Sequence, residues 1–169
     1  MNLRKLTNKL DVEFVKGSLD KEINNITYDS RKVEPESLFI CIEGFETDGH
    51  NYINEAIEKG TVAVLIEREI KQYNKDIVYI KVKDSREAMS YIASEYYDHP
   101  LDKLKLIGVT GTNGKTTTTH LIKSILEEAG KKTGLIGTIG NFIAEKELPS
   151  TRTTPNSLEL YKLFKKMID

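Results

Sequence analysis

The chain has 169 residues, enough for one large domain or two small ones. With 38% hydrophobic and 30% charged residues it has the composition of a soluble globular protein with apolar mass for a core. A net charge of -1 and a pI near 6.3 exclude the basic footprint of a nucleic-acid binder. The single cysteine, Cys41, excludes an internal disulfide framework and reads as a small buried hydrophobe in the run Leu38-Phe39-Ile40-Cys41-Ile42. No apolar signal core follows Met1-Asn2-Leu3-Arg4-Lys5, and no stretch reaches membrane-spanning length. The expectation is a cytoplasmic protein with no membrane insertion and no nucleic-acid partner.

The early chain predicts short strands at Val12–Val15, Ile26–Asp29 and Leu38–Ile42. A helical face follows at Tyr52, Ile53, Ala56 and Ile57, closed by Lys59-Gly60. Val62–Ile66 and Ile77–Val82 are continuous apolar runs, as in strands covered on both faces. Asp84 predicts a helix cap, with Glu87 three residues on and a buried stripe of Ala88, Tyr91, Ile92 and Tyr96. That helix stops at Asp98-His99-Pro100, because the residue before proline avoids helical geometry. A domain boundary near Pro100 divides the chain into residues 1–99 and 100–169.

The second part restarts as strand Leu104–Val109, loop Gly111–Gly114, helix Lys115–Ala129 and strand Thr133–Ile139. Gly130 ends the helix, and Leu121, Ile122, Ile125 and Leu126 form its inward stripe. This is one βαβ unit, which predicts a parallel sheet. Asn141–Leu148 predicts a hairpin. Thr154-Pro155 opens a last helix through Leu158, Leu160, Tyr161, Phe164 and Met167. Two strands and two helices are few for a doubly wound domain, so the second domain is expected to be incomplete, with apolar faces lacking partners.

The chemistry is concentrated in Gly108-Val109-Thr110-Gly111-Thr112-Asn113-Gly114-Lys115-Thr116-Thr117. Glycines let backbone N–H groups approach phosphate oxygens with no Cβ in the way. The helix that follows adds free N–H donors and a partial positive charge. Lys115 would reach the outer phosphates of ATP, and the Thr116 hydroxyl would sit on Mg²⁺. The general pattern has a glycine five residues before Gly114, where this chain has Val109. The loop is therefore a variant. Four β-branched residues, Thr116 to Thr119, start the helix, which ligand contact explains better than helix propensity. His50, His99 and His120 lack metal-ligand spacing and predict surface or packing roles.

That spelling of the loop resembles the ATP loop of the Mur ligases, the ATP-dependent amide-forming enzymes of peptidoglycan precursor synthesis. Tyr28-Asp29-Ser30-Arg31-Lys32-Val33, then Leu38-Phe39, then Gly44-Phe45-Glu46-Thr47-Asp48-Gly49-His50 are similar to the UDP-sugar-binding domain of the branch that adds a diamino acid. So are Gly137-Thr138-Ile139-Gly140 and Thr153-Thr154-Pro155. The resemblance implies a small mixed α/β UDP-sugar-binding domain over 1–99, followed by the start of a P-loop parallel-sheet central domain over 100–169. It implies ATP with Mg²⁺, and a reaction in which ATP phosphorylates the carboxylate of UDP-N-acetylmuramoyl-L-Ala-D-Glu. The amine of a diamino acid then displaces phosphate.

Carried over by position, Ser30 with its neighbour Tyr28, and Phe45, Glu46 and Thr47, would contact the uridine nucleotide. Gly111, Thr112, Asn113, Gly114, Lys115, Thr116 and Thr117 would hold ATP, with Lys115 and Thr116 closest to the chemistry. Thr153 and Thr154 would contact the muramoyl dipeptide. Plainer readings exist for several positions. Ser30-Arg31 can be a polar turn, and Gly44 and Gly49 can simply bracket a surface loop. Thr154 before Pro155 is a good helix cap. The family's later metal-binding glutamate and histidine, its carbamylated lysine and its amino-acid-selecting domain have no counterpart before Asp169. The diamino-acid site is thus expected outside this chain, and the chain alone is expected to be inactive. A stand-alone nucleotide-binding module that regulates or scaffolds, and a phosphate-loop hydrolase, are the alternatives from other classes.

Overall fold

A computed structural model describes residues 1–44, 47–148 and 155–169. The chain divides into two compact units, Met1–Asp98 and His99–Asp169. The first contains helix α1 (Leu3–Thr7), strands β1 (Val12–Lys16), β2 (Asn25–Thr27) and β3 (Ser37–Ile40), helix α2 (Ile53–Glu58), strands β4 (Thr61–Ile66) and β5 (Val78–Val82), and helix α3 (Ser85–Tyr96). Its five-stranded sheet runs β1-β5-β4-β3-β2. Strands β2 to β5 are parallel, in register at Ile26↔Leu38, Leu38↔Ala63 and Leu65↔Ile80. Strand β1 joins the edge antiparallel to β5.

The fully buried β3 and the buried run 63–66 of β4 explain why these strands read as continuously apolar: both faces are covered. One face carries Phe39, Val64, Ile66 and Tyr79, packed with Ile53 and Ala56 of α2 and with Cys41. The alternate set, Leu38, Ile40, Ala63, Leu65 and Ile80, points the other way and is fully buried as well. Cys41 is 0% exposed, and burial pushes its thiol well above the usual range. It is a packing residue.

Helix α3 begins at its predicted cap: the Asp84 carboxylate accepts from the N–H groups of Arg86 and Glu87 at 2.8 and 2.9 Å. Its buried residues are Ser85, Ala88, Met89, Ile92, Ala93 and Glu95. Tyr91, expected in that stripe, is 49% exposed, because Met89 and Ala93 rather than position 91 complete the i, i+4 rows. Asp98 and His99 turn left-handed at φ 61° and 48°, which stops the helix ahead of Pro100.

The second unit contains α4 (Lys115–Glu128), strands β6 (Gly134–Ile136), β7 (Asn141–Ile143) and β8 (Lys146–Leu148), and α5 (Ser157–Ile168). The predicted hairpin is present as β7-β8, turning at Ala144 with φ 48°. The predicted parallel pair is not. Among the described residues 104–110 pair with no strand, and β6 pairs antiparallel with β7. Leu106 and Ile107 are 59% and 56% exposed, so this run meets no neighbour whose backbone could draw it into a ladder. Likewise α4 buries no residue; Leu121 and Ile125 of its expected inward stripe are exposed. Helix α5 is capped by Asn156, in a reciprocal capping box with Glu159; the cap reading of Thr154 lies outside the described residues. Asn156 stands directly before the first helical turn, at the position where a side-chain oxygen reaches the N3 amide. No described helix is long and apolar enough to cross a membrane.

Candidate functional site

Residues 111–117 form one tight turn into α4. Gly111 has φ 150° and Gly114 φ 78°, both in the region that an L side chain resists. Gly114 is the N-cap of α4 and offers no side chain, so the first amides of the helix are left open. Thr118 N–H donates to the Gly114 carbonyl at 2.9 Å and starts the helical ladder. Among the described residues, no backbone N–H from 111 to 117 donates to a protein acceptor. A Cβ placed on Gly114 would meet nothing within 4 Å, so the space above the turn is clear. The Lys115 ammonium folds over the turn and donates to the Gly111 carbonyl at 2.6 Å. Thr112, Asn113 and Thr117 are exposed and Thr116 is half-buried. Open amides, a helix dipole and a lysine on one concave turn can hold a polyphosphate, and the Thr116 hydroxyl at the helix start suits Mg²⁺. The far end of α4 is tied down by Glu127, which accepts from Lys123 at 2.7 Å and from the Thr133 hydroxyl at 2.6 Å. His120 packs edge-on against Phe142, its centroid 5.9 Å away.

In the first unit the predicted nucleotide residues follow the carboxyl ends of the parallel strands β2 and β3 in the chain. Tyr28 and Ser30 follow β2. Asp29 caps the 3-10 turn Ser30–Lys32 through the Arg31 N–H at 3.1 Å and also grips the Arg31 guanidinium at 2.8 and 2.9 Å. That pairing holds the Asp29 carboxyl below its ordinary range. Ser30 is 7% exposed. Its hydroxyl donates to Glu55 Oε2 at 3.0 Å, and its carbonyl accepts from the Lys59 ammonium at 3.0 Å. Lys59 also donates to Glu55 Oε1 at 2.6 Å, closing a ring of three residues through the Ser30 hydroxyl and backbone carbonyl. Sequence reasoning missed Glu55 and Lys59. The only available signal was their i, i+4 spacing beside the helix face of Ile53 and Ala56.

Thr47 lies in the loop after β3, where its carbonyl accepts from Gly44 N–H at 2.9 Å. Gly49 closes that loop. A Cβ there would lie 2.7 Å from Ile42 N and 3.0 Å from Cys41 Cα, so only glycine permits the approach. Asp48 anchors the loop by accepting from His50 N–H at 2.9 Å and from His50 Nδ1–H at 2.6 Å, and it pairs with Arg68. His50 Nε2 accepts from Glu67 N–H at 3.2 Å, which assigns the ring hydrogen to Nδ1. Burial works to raise the Asp48 pKa, but the His50 and Arg68 contacts outweigh it and the carboxyl is lowered. Glu67 in turn accepts from Ser85 N–H at 2.6 Å, so the segments after β3, β4 and β5 are stitched together. Phe45, Glu46, Thr153 and Thr154 lie outside the described residues.

Two family models match the chain: "Mur ligase family, catalytic domain" over residues 22–97 and "Mur ligase middle domain" over 109–169. The chain belongs to the Mur ligase family. It is 52% identical over 171 residues to the UDP-N-acetylmuramoyl-L-alanyl-D-glutamate--2,6-diaminopimelate ligase of Clostridium tetani, and 48% identical over 169 residues to that of Clostridium perfringens. Both matches take in 100% of this chain but 35% of the relative, so this Mur ligase chain spans about a third of the relatives' length. A solved diaminopimelate ligase of the same description superposes with a TM-score of 0.75 at 23% identity, covering 99% of this chain and 33% of its own. The MurF of Acinetobacter baumannii gives 0.63 at 24% identity, with 97% and 32% covered. These likenesses establish a shared Mur ligase fold.

Proposed function

We propose that this chain supplies the uridine-nucleotide and ATP-binding parts of a ligase that joins 2,6-diaminopimelate to UDP-N-acetylmuramoyl-L-alanyl-D-glutamate. The observation that carries the reading is 52% identity, sustained over the whole chain, to a relative whose name states that ligation. The open amides of 111–117 would cradle ATP, with Lys115 exchanging its carbonyl partners for outer phosphate oxygens. Thr116 would hold Mg²⁺, which screens the charge that repels an attacking carboxylate. The carboxylate would take the terminal phosphoryl group as an acyl phosphate, and the diamino acid's amine would displace phosphate. Ser30, Tyr28, Phe45, Glu46 and Thr47 would seat the uridine nucleotide, and Thr153 and Thr154 the muramoyl dipeptide. Selection of the diamino acid is assigned to the two thirds of the relatives that this chain does not match. The cytoplasm, where ATP is made, is the proposed location.

Calorimetric titration of this chain with the UDP-muramoyl dipeptide tests the reading. Saturable heat is expected, and none at millimolar ligand overturns it. Lys115→Ala is expected to lose ATP binding by at least about 100-fold, since an ammonium–phosphate contact in such a loop is a charge-assisted bond. The same variant should bind the UDP-sugar as the parent does. Equal loss of both ligands would overturn the assignment of the two sites to different units.

A further inference from the structure

We infer that Glu55 is a positioning residue for the nucleotide, holding the Ser30 hydroxyl so that it accepts, and does not donate, a ligand hydrogen bond. This rests on the reading that Ser30 faces the uridine nucleotide. A serine hydroxyl has one hydrogen to give and two lone pairs to receive. Here the hydrogen is committed to Glu55 Oε2 at 3.0 Å. Turning it toward a ligand would break a bond to a carboxylate, which is stronger than a bond to a neutral acceptor. Lys59 keeps that carboxylate ionised, donating to its other oxygen at 2.6 Å while also holding the Ser30 carbonyl at 3.0 Å. The hydrogen bonds from Lys59, then from Ser30, set the Glu55 carboxyl below its ordinary range. Backbone and hydroxyl of Ser30 are thus both fixed by one helix edge, 25 and 29 residues away in sequence. What remains for a ligand is oxygen lone pairs, which suit an N–H or O–H donor. On a uridine nucleotide that donor is the base N3–H or a ribose hydroxyl.

Titration calorimetry of this chain with UDP, CDP and 2′,3′-dideoxy-UDP separates the two sources. CDP lacks the N3–H, and the dideoxy compound lacks the ribose donors. The parent chain is expected to prefer UDP over one of them. Glu55→Ala should weaken UDP about tenfold and erase that preference, because the freed hydroxyl rotates. Glu55→Gln, which still accepts from Ser30, should restore most of the affinity. In the Ser30→Ala background, Glu55→Ala should add nothing. Circular dichroism and the denaturation midpoint of the first unit, unchanged throughout, report that the variants fold, and unchanged ADP binding reports that the second unit is unaffected. Equal weakening of all three nucleotides by Glu55→Ala, or the same loss in the Ser30→Ala background, would overturn the inference while leaving the uridine reading standing. Absence of UDP binding by the folded parent chain would overturn both.

Discussion

Asp48 shows how much a single carboxylate organises in the first unit. It accepts from two groups of His50, pairs with Arg68, and thereby anchors the loop that precedes Gly49. Its pKa in the folded chain is lowered from 3.8. A depressed pKa means that the stabilisation is complete above the unfolded value and is lost as pH falls through the folded one. Stability of the first unit should therefore hold from neutrality down to about pH 4 and fall below it. Asp48→Asn should be less stable at pH 7 and show a flatter decline below pH 4. Urea denaturation followed at pH 7, 4 and 3 checks this, and parallel curves for parent and variant would refute it.

Among the elements, the starts of α4 and α5 treat their open amides in opposite ways. Helix α5 satisfies them with Asn156, whose side chain accepts from Glu159 N–H at 3.0 Å. Helix α4 starts from Gly114 and leaves them open. Asn156→Ala should destabilise the second unit by about 1 kcal/mol, the usual cost of losing a cap. Its thermal midpoint by calorimetry should fall by several degrees while ATP affinity stays constant. The contrast also separates a capped helix start from the one proposed to hold ATP: a capping side chain at position 114 would occupy the donors a phosphate needs.

Over the whole molecule, burial is distributed unequally. The first unit closes its sheet on both faces, with Ile92 at 0% exposure on α3. In the second, Leu121 and Ile125 of α4 stand 59% and 67% exposed. Ile92→Ala should cost about 2–5 kcal/mol, as for a filled core site. Leu121→Ala and Ile125→Ala should each stay within about 0.5 kcal/mol in this chain, as surface substitutions do. Denaturant midpoints for the three variants decide it, and a loss at Leu121 as large as at Ile92 would show that α4 is covered.

The amino-acid sequence by itself determined the features that depend on near neighbours. The glycine turn into α4, the Asp84 cap, the buried strands β3 to β5 and the β7-β8 hairpin follow from residue types a few positions apart, where dihedral preference and period decide conformation. Tertiary structure alone decided what depends on chain segments meeting. It set β1 antiparallel on the sheet edge, left 104–110 unpaired among the described residues, and turned Tyr91 outward. It also brought Glu55 and Lys59 onto Ser30. A hydrogen bond or a ladder is specific only once both partners are in place, and no local pattern at Ser30 encodes which distant carboxylate the fold will carry to it.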